Sequence, residues 1–308
     1  MLPSLFATVC FSVSAVCGSR AARLIGGTEA NFWRLIVATV LLAFWAHGWG
    51  GGLAGEAFPI FIVSGFVGIG IGDVALYQAL PQLGARLTSL LLQCFTTAFA
   101  IVIEWVWLGT RLTSAELACG VVILLGVSLG LSSGQHLAGL RGHLARGISW
   151  SALASLGNAL GMVLSRKAYA VAAAAGEQID GATAAYQRLI GGLFLSGVLL
   201  LIVKRSDVAA QVRDPSFANG GALEKWRRAW PWVFANGAAG MTLGVSCVQW
   251  ALLTTPTGIV QSVLSVTPLM VIPFAHRFEG ERPTWRSVVG GAIAVAGTIA
   301  LVWVHRGT

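Results

Sequence analysis

Charge is what this chain has least of. Only 10% of its 308 residues are Asp, Glu, Lys or Arg, where a soluble domain carries roughly 25%. With 56% hydrophobic residues, the apolar surface exceeds what a soluble core of this length can hide, so lipid is the expected solvent for much of it. Acidic residues are the scarcer sign, 12 against 20 basic, for a formal charge of +8. The basic residues are scattered between apolar runs and form no continuous basic face, which excludes nucleic acid as an expected partner. The surplus reads as membrane-flanking charge. Cysteine is sparse too: Cys10, Cys17, Cys94, Cys119 and Cys247 lie inside apolar runs, with no CxxC and no Cys/His grouping. Neither a disulfide framework nor a metal site is expected. HExxH and paired aspartates at catalytic spacing are missing, as is the ATP-binding GxxxxGK(S/T) glycine loop. An intramembrane enzyme would need a nucleophile with its base, or a metal cluster; direct ATP drive would need the glycine loop. The expectation is a non-enzyme without a cofactor. A pore is disfavoured by the lack of a filter-like sequence or charge ring.

What is present is a series of apolar runs. Ten of them approach the ~20 residues that cross the hydrocarbon, at 3–22, 31–48, 58–80, 84–107, 114–133, 147–168, 182–203, 229–251, 257–277 and 285–304. Spanning segments must satisfy their own backbone, so the fold expected is an all-α integral membrane protein of ten transmembrane helices. Turn chemistry separates the runs at Gly50-Gly51-Gly52, Pro81, Ser132-Ser133-Gly134, Pro256 and Pro283. Thr113-Ser114-Ala115-Glu116 is a capping box opening the fifth run. The polar stretch 204–228 reads as a short surface helix or a disordered loop. The first run lacks a basic leader and a cleavage pattern, so it is expected to remain as a helix. Tryptophans near run ends (Trp33, Trp45, Trp107, Trp230, Trp232, Trp285, Trp303) fit interfacial anchoring.

The chain also repeats itself. Gly65, Gly68 and Gly72 have the spacing of Gly237, Gly240 and Gly244, and Ala79-Leu80 follows as Ala251-Leu252. Arg34-Leu35-Ile36 recurs as Arg188-Leu189-Ile190, Ser19-Arg20 as Ser165-Arg166, and Gly109, Gly120 and Gly126 as Gly280, Gly291 and Gly297. The order is the same in both copies, as a duplicated gene would leave it. The copies are 1–133 and 146–304, joined by a linker at 134–145. Five runs per copy is an odd number, so the second copy crosses in the opposite sense: two inverted five-helix repeats, with a site expected between them.

These landmarks resemble the EamA-like family of the drug/metabolite transporter superfamily, over nearly the whole chain. Leu108-Gly109-Thr110-Arg111-Leu112-Thr113 is similar to that family's Leu-Gly-Glu-Arg-Leu-Thr signature, with Thr110 in place of the Glu. Glu279-Gly280-Glu281-Arg282-Pro283-Thr284 is similar to it again. Val266-Thr267-Pro268 resembles the proline-containing stretch of the ninth helix, where the first copy has Thr97, and Arg34 and Arg188 also look like family positions. The resemblance implies secondary transport of small metabolites or drugs, often outward, with both termini in the cytoplasm. Lys and Arg say the reverse. Arg111, Arg166, Lys167, Arg188 and Arg306 lie towards the face holding the termini, and the other fifteen of the twenty lie towards the opposite face, which puts the termini outside the cytoplasm.

Ionisable residues inside spans are expensive and point to function. Four stand out: Arg34, Asp73, Glu104 and Arg188. On a rise of ~1.5 Å per residue, Arg34 and Asp73 lie about 5 and 10 Å inside one face, and Glu104 and Arg188 about 5 and 9 Å inside the other. Two pairs are therefore expected, Arg34–Asp73 and Arg188–Glu104, as alternating gates or readers of substrate charge; snorkelling to headgroups is the bland account of the arginines. Polar residues unmatched between copies are candidates for what is particular to this protein. Asp73 aligns with Val245, Glu104 with Ala275, Gln93 with Leu264 and Gln261 with Leu90. Gln78, Gln249, Asn158, Tyr77 and Trp250 add polar and aromatic surface at similar depths. Asp73 first and Glu104 second are the expected proton carriers. The glycine triplets read as close helix packing or as room for substrate, and Gly126/Gly130 and Gly157/Gly161 as packing. Pro268 and Pro273 kink the ninth span and free carbonyls. His276 reads as interfacial.

The function expected is secondary active export of a small organic metabolite or drug across the cell membrane, as a monomer or a homodimer. A lipid or lipid-linked-sugar flippase is the alternative, with Arg34 and Arg188 holding a phosphate headgroup.

Overall fold

The computed structural model describes residues 2–109, 113–131, 144–213, 221–279 and 285–307, and the described residues contain helices and turns but no strand. Helix α1 (Leu2–Ile25) turns through Gly26 into α2 (Gly27–Gly48), and α3 (Phe58–Gly65) continues through a π-helical segment (Phe66–Gly72) into α4 (Asp73–Leu108). Next come α5 (Ser114–Leu131), α6 (Leu144–Ala174) and α7 (Gly181–Arg213). Then α8 (Gly221–Asn236) leads through a second π-helical segment (Gly237–Gly244) into α9 (Val245–Leu252), followed by α10 (Thr257–Leu264), α11 (Thr267–Glu279) and α12 (Trp285–Gly307).

Among the described residues, seven stretches are long and apolar enough to cross a membrane: Leu2–Ile25, Gly27–Gly48, Phe58–Ala85, Leu87–Leu108, Leu144–Ala174, Gly181–Arg205 and Thr257–Phe274. Ser114–Gly126 and Val289–Leu301 are shorter apolar helices. The stretch from α8 to α9 is continuous and begins with Glu224, Lys225, Arg227 and Arg228, residues that belong in water. Large apolar side chains remain exposed along the helices, among them Phe44, Val106, Phe194 and Leu201. Such a surface needs lipid rather than water. The protein is thus an integral, multi-pass membrane protein.

Several turns fall where their residues require. The break expected at Pro81 comes three residues later. Pro81 stays within the first arm of α4, and the chain swings at Gly84, whose φ of 78° and ψ of 166° suit a residue without Cβ. The fifth helix opens as its box implies: the Thr113 amide donates to Glu116 at 2.8 Å and the Glu116 amide to the Thr113 hydroxyl at 3.2 Å. The ninth run is two helices, α10 and α11, parted at Ser265-Val266. Pro268 sits in the first turn of α11, where its missing donor costs little, and Pro273 lies inside that helix. The polar stretch 204–228 is largely helical, because α7 runs to Arg213 and α8 begins at Gly221. Lys204 pairs with Glu29 there. Residues 132–143, which take in most of the expected linker, Thr110 to Leu112 of the first family signature and Gly280 to Thr284 of the second lie outside the described residues, and so does the side chain of His276.

Packing crosses between the two copies. Helix α2 lies against α7, α4 against α6 and α1 against α8, while α5 and α12 pair with each other. The glycine triplets are the tightest seams. A β-carbon at Gly65 would collide with the carbonyl of Arg188, and one at Gly237 would stand 2.8 Å from the carbonyl of Arg34. Each triplet seats the arginine-bearing helix of the other copy, and each coincides with a π-helical segment, a widened turn often found at functional sites.

Candidate functional site

Where these seams meet, the helices form a cavity of about 150 Å³ lined by residues of both copies. A cavity of this size is large enough for a solute about as big as benzene. Its polar lining includes Arg34, Asp73, Tyr77, Gln93, Asn158, Arg188 and Gln261, and its apolar lining includes Phe11, Met162, Met241 and Val245.

One side is a finished network. Arg34 Nη2 donates to Asp73 Oδ2 at 2.7 Å. Its Nε and Nη2 also donate to Asn31 Oδ1 at 3.0 and 2.9 Å, and its guanidinium lies over the Tyr77 ring, 4.6 Å from the centroid. The Tyr77 hydroxyl accepts from the Asn236 amide, whose oxygen accepts from Ser14 at 2.6 Å. Arg34 is 4% and Asp73 6% exposed. Charges this dry are costly unless paired and hydrogen-bonded, and this network supplies both for Arg34, in place of the bland snorkelling account. Asn31, one turn before Arg34 on the same helix face, and Asn236, beside the second glycine triplet, escaped the sequence reading.

The other side is unfinished. Arg188 is equally buried, at 4% exposed, yet the expected Arg188–Glu104 pair does not form. Glu104 is taken by Arg166 and accepts the Gly258 amide at 3.2 Å, which ties the second arm of α4 to α6 and α10. The depth argument failed because it fixes position along the membrane normal and leaves lateral position open; α4 lies against α6, which carries Arg166. Arg188 Nη2 fits instead between Gly68 and Gly161, where added β-carbons would stand 3.0 and 3.1 Å away, and its Nε has no hydrogen-bond partner among the described residues.

Across the cavity, Gln261 donates to Gln93 and Thr97 shares a 2.9 Å hydrogen bond with Ser265, joining α4 to α10. The interruption of the ninth run is used as well: Ser12 donates to the Thr267 carbonyl at 3.2 Å, and the Thr267 hydroxyl to the Leu264 carbonyl. Four expected residues do not line the cavity. Gln78 donates to Thr28 at 3.4 Å, and Glu104 serves the helix tie just described. Gln249 is fully buried with both amide atoms unpartnered, and Trp250, one residue and about 100° further round the helix, is exposed. A second, more open cavity of about 760 Å³ borders Arg166, Tyr169 and the segments around Gly50, Asp180 and Leu253. Tyr169 stacks edge-on against Phe61 and lies within electrostatic reach of Arg188. At that rim Asp180 caps α7. Burial pushes its carboxyl up, but hydrogen bonds from the Thr183 hydroxyl and amide, the Ala182 amide and the Trp45 indole outweigh this and hold it below the usual carboxylate range.

Known proteins share this arrangement. A solved crystal structure superposes with a TM-score of 0.71 over 99% of this chain and 98% of its own, at 14% identity; at that identity the likeness is one of fold. A protein described as a probable terminal-alkyne amino-acid exporter, from Streptantibioticus cattleyicolor, is 27% identical over 110 residues, which cover 36% of this chain and 37% of that relative. The model of the EamA-like transporter family matches residues 1–131 and again 145–303. Two matches that together take in nearly every residue, on a multi-pass helical chain, mean that the protein belongs to the EamA-like transporter family.

Proposed function

We propose that this protein is a secondary active transporter that exports small organic metabolites or drugs across the cell membrane by alternating access, coupled to protons through Asp73. The observation that carries the reading is the cavity with a buried Arg34–Asp73 pair in its wall. A buried ion pair is a costly stabiliser, and ionisable groups kept within a span mark a transport path. In this reading the ten apolar runs are ten transmembrane helices in two inverted five-helix repeats, and the copies rock about the glycine seams. Asp73 takes a proton from one side, its bond to Arg34 loosens, and the cavity re-opens on the other side. Tyr77, Asn158, Gln93 and Gln261 contact the solute. Glu104 with Arg166 acts as a closure between α4 and α6. The relative from S. cattleyicolor supports export of an amino-acid-like solute.

The test is proteoliposome transport of a mixed metabolite pool, read by mass spectrometry, with and without an imposed pH gradient. Gradient-dependent movement of one solute class is the expected outcome. Movement indifferent to the gradient removes Asp73 as proton carrier. Movement of labelled lipid with no soluble solute replaces the reading with a flippase.

A further inference from the structure

The two arginines occupy matched places in the two copies, but their surroundings differ. Asp73, Asn31 and Tyr77 surround Arg34; the matched positions around Arg188 are Val245, Ala185 and Gln249. The carboxylate and the amide that hold Arg34 are thus replaced by two side chains that cannot accept a hydrogen bond. Val245 lines the cavity together with Arg188. Gln249 is fully buried, and among the described residues both its amide atoms lack partners, as do Arg188 Nε and the Tyr169 hydroxyl. Among the described residues Arg188 makes no ion pair. The cavity wall carries two guanidiniums and one carboxylate, a surplus of one positive charge. An isolated buried charge is tolerated when a counter-charge arrives. Asp73 is held by Arg34 at 2.7 Å, and among the described residues it makes no ion pair with Arg188.

We propose that Arg188 is the substrate-anion subsite of this transporter: it receives the carboxylate of a small organic acid or amino acid in the space where the first copy carries its own carboxylate. The proposal rests on the transport reading above and names its substrate class. A guanidinium presents paired N–H donors to a carboxylate, and one monoanion neutralises the surplus. The seat between Gly68 and Gly161 holds the guanidinium on one side and leaves its Nε edge without a partner. Carrying the anion in the solute rather than in the wall makes the neutral cavity a loaded cavity, so an empty transporter retains an uncompensated charge.

The experiment uses the full chain in phosphatidylcholine liposomes, which hold no anionic lipid. The probes are a pool of amino, hydroxy and keto acids, each mixed with its own primary amide, with uptake above protein-free liposomes read by mass spectrometry. The expected result is preference for acids over matched amides, and in Arg188→Gln a loss of acid uptake by about 10- to 100-fold that removes this preference. Val245→Asp restores in the second copy the carboxylate present in the first, and is expected to abolish acid uptake equally. It decides the matter if Arg188→Gln does not reconstitute. Equal uptake of acids and amides by the native protein overturns the anion subsite while the transporter reading stands, and so does an acid preference untouched by both variants. Acid uptake abolished by added phosphatidylglycerol assigns the site to lipid headgroups and overturns the proposal. If nothing crosses, the transport reading and the subsite fall together.

Discussion

Replacing Asp73 by Asn should do far more damage than replacing either arginine. In the native cavity Asp73 neutralises Arg34 at 2.7 Å and sits within electrostatic reach of Arg188. Asp73→Asn leaves two buried guanidiniums with no carboxylate, a cavity charge of +2 by count of the wall residues. Arg34→Gln leaves one guanidinium and one carboxylate, so the wall has no net charge. Arg188→Gln leaves the Arg34–Asp73 pair intact and relieves a charge without a partner. Stranding one member of a buried pair costs about 3–5 kcal/mol. With two cations left, Asp73→Asn belongs at the upper end, and Asn31 still accepts from Arg34. For a chain of this size that corresponds to a fall in melting temperature of about 6 °C or more. Arg34→Gln should fall by less, and Arg188→Gln should melt at or above the native temperature. The assay is thermal unfolding of the purified proteins in one detergent at one pH, followed by intrinsic fluorescence. Asp73→Asn melting within about 2 °C of the native protein, or Arg188→Gln as the least stable of the three, would refute the charge accounting.

Other outcomes follow from the same structure. Asp73→Asn should lose pH-driven transport and keep solute exchange; unchanged response to the gradient in the proteoliposome assay would remove Asp73 from coupling. Gly65→Ala should fail to accumulate in membranes, because the new methyl collides with the Arg188 carbonyl, whereas Gly291→Ala, with nothing within 4 Å, should match the native level on fluorescence-detected size exclusion. Overpacking of this kind typically costs ~1–3 kcal/mol, so similar levels for both would contradict the seam. Asp180 has a depressed folded pKa, so its contribution is fully present above the unfolded value of about 3.9 and is lost as pH falls through the lower folded value. Asp180→Ala should destabilise at neutral pH by about 1 kcal/mol, with the difference from native shrinking on acid titration; a gap independent of pH would show that the carboxylate is not what caps α7.

Much of this fold was legible in the sequence because a membrane narrows the choices. An apolar run of sufficient length must be a helix, and the matched glycines located both seams. The site was half legible. Arg34 and Asp73 stood out as charges inside apolar runs and proved to be partners. Arg188 stood out for the same reason, but its partner was misjudged: depth along the normal said nothing of which helix faces which, and Glu104 went to Arg166. Asn31 and Asn236 were missed because a lone amide in an apolar helix carries no signal until the tertiary contact appears. Trp250 was over-read from depth alone; its side chain points outward, while the neighbouring Gln249 points in. The break at Gly84 was misplaced to Pro81 because proline is the louder punctuation.

The exchanged seating of the arginine helices bears on how the chain is made. The groove at Gly65 is shaped for a stretch of backbone at Arg188 that the ribosome delivers more than a hundred residues later. Until α7 arrives, the first copy holds an empty glycine groove against lipid, so its helices cannot lock as they emerge. Final assembly waits for late synthesis, and the two copies, produced as separate polypeptides in one cell, should find each other through those same grooves.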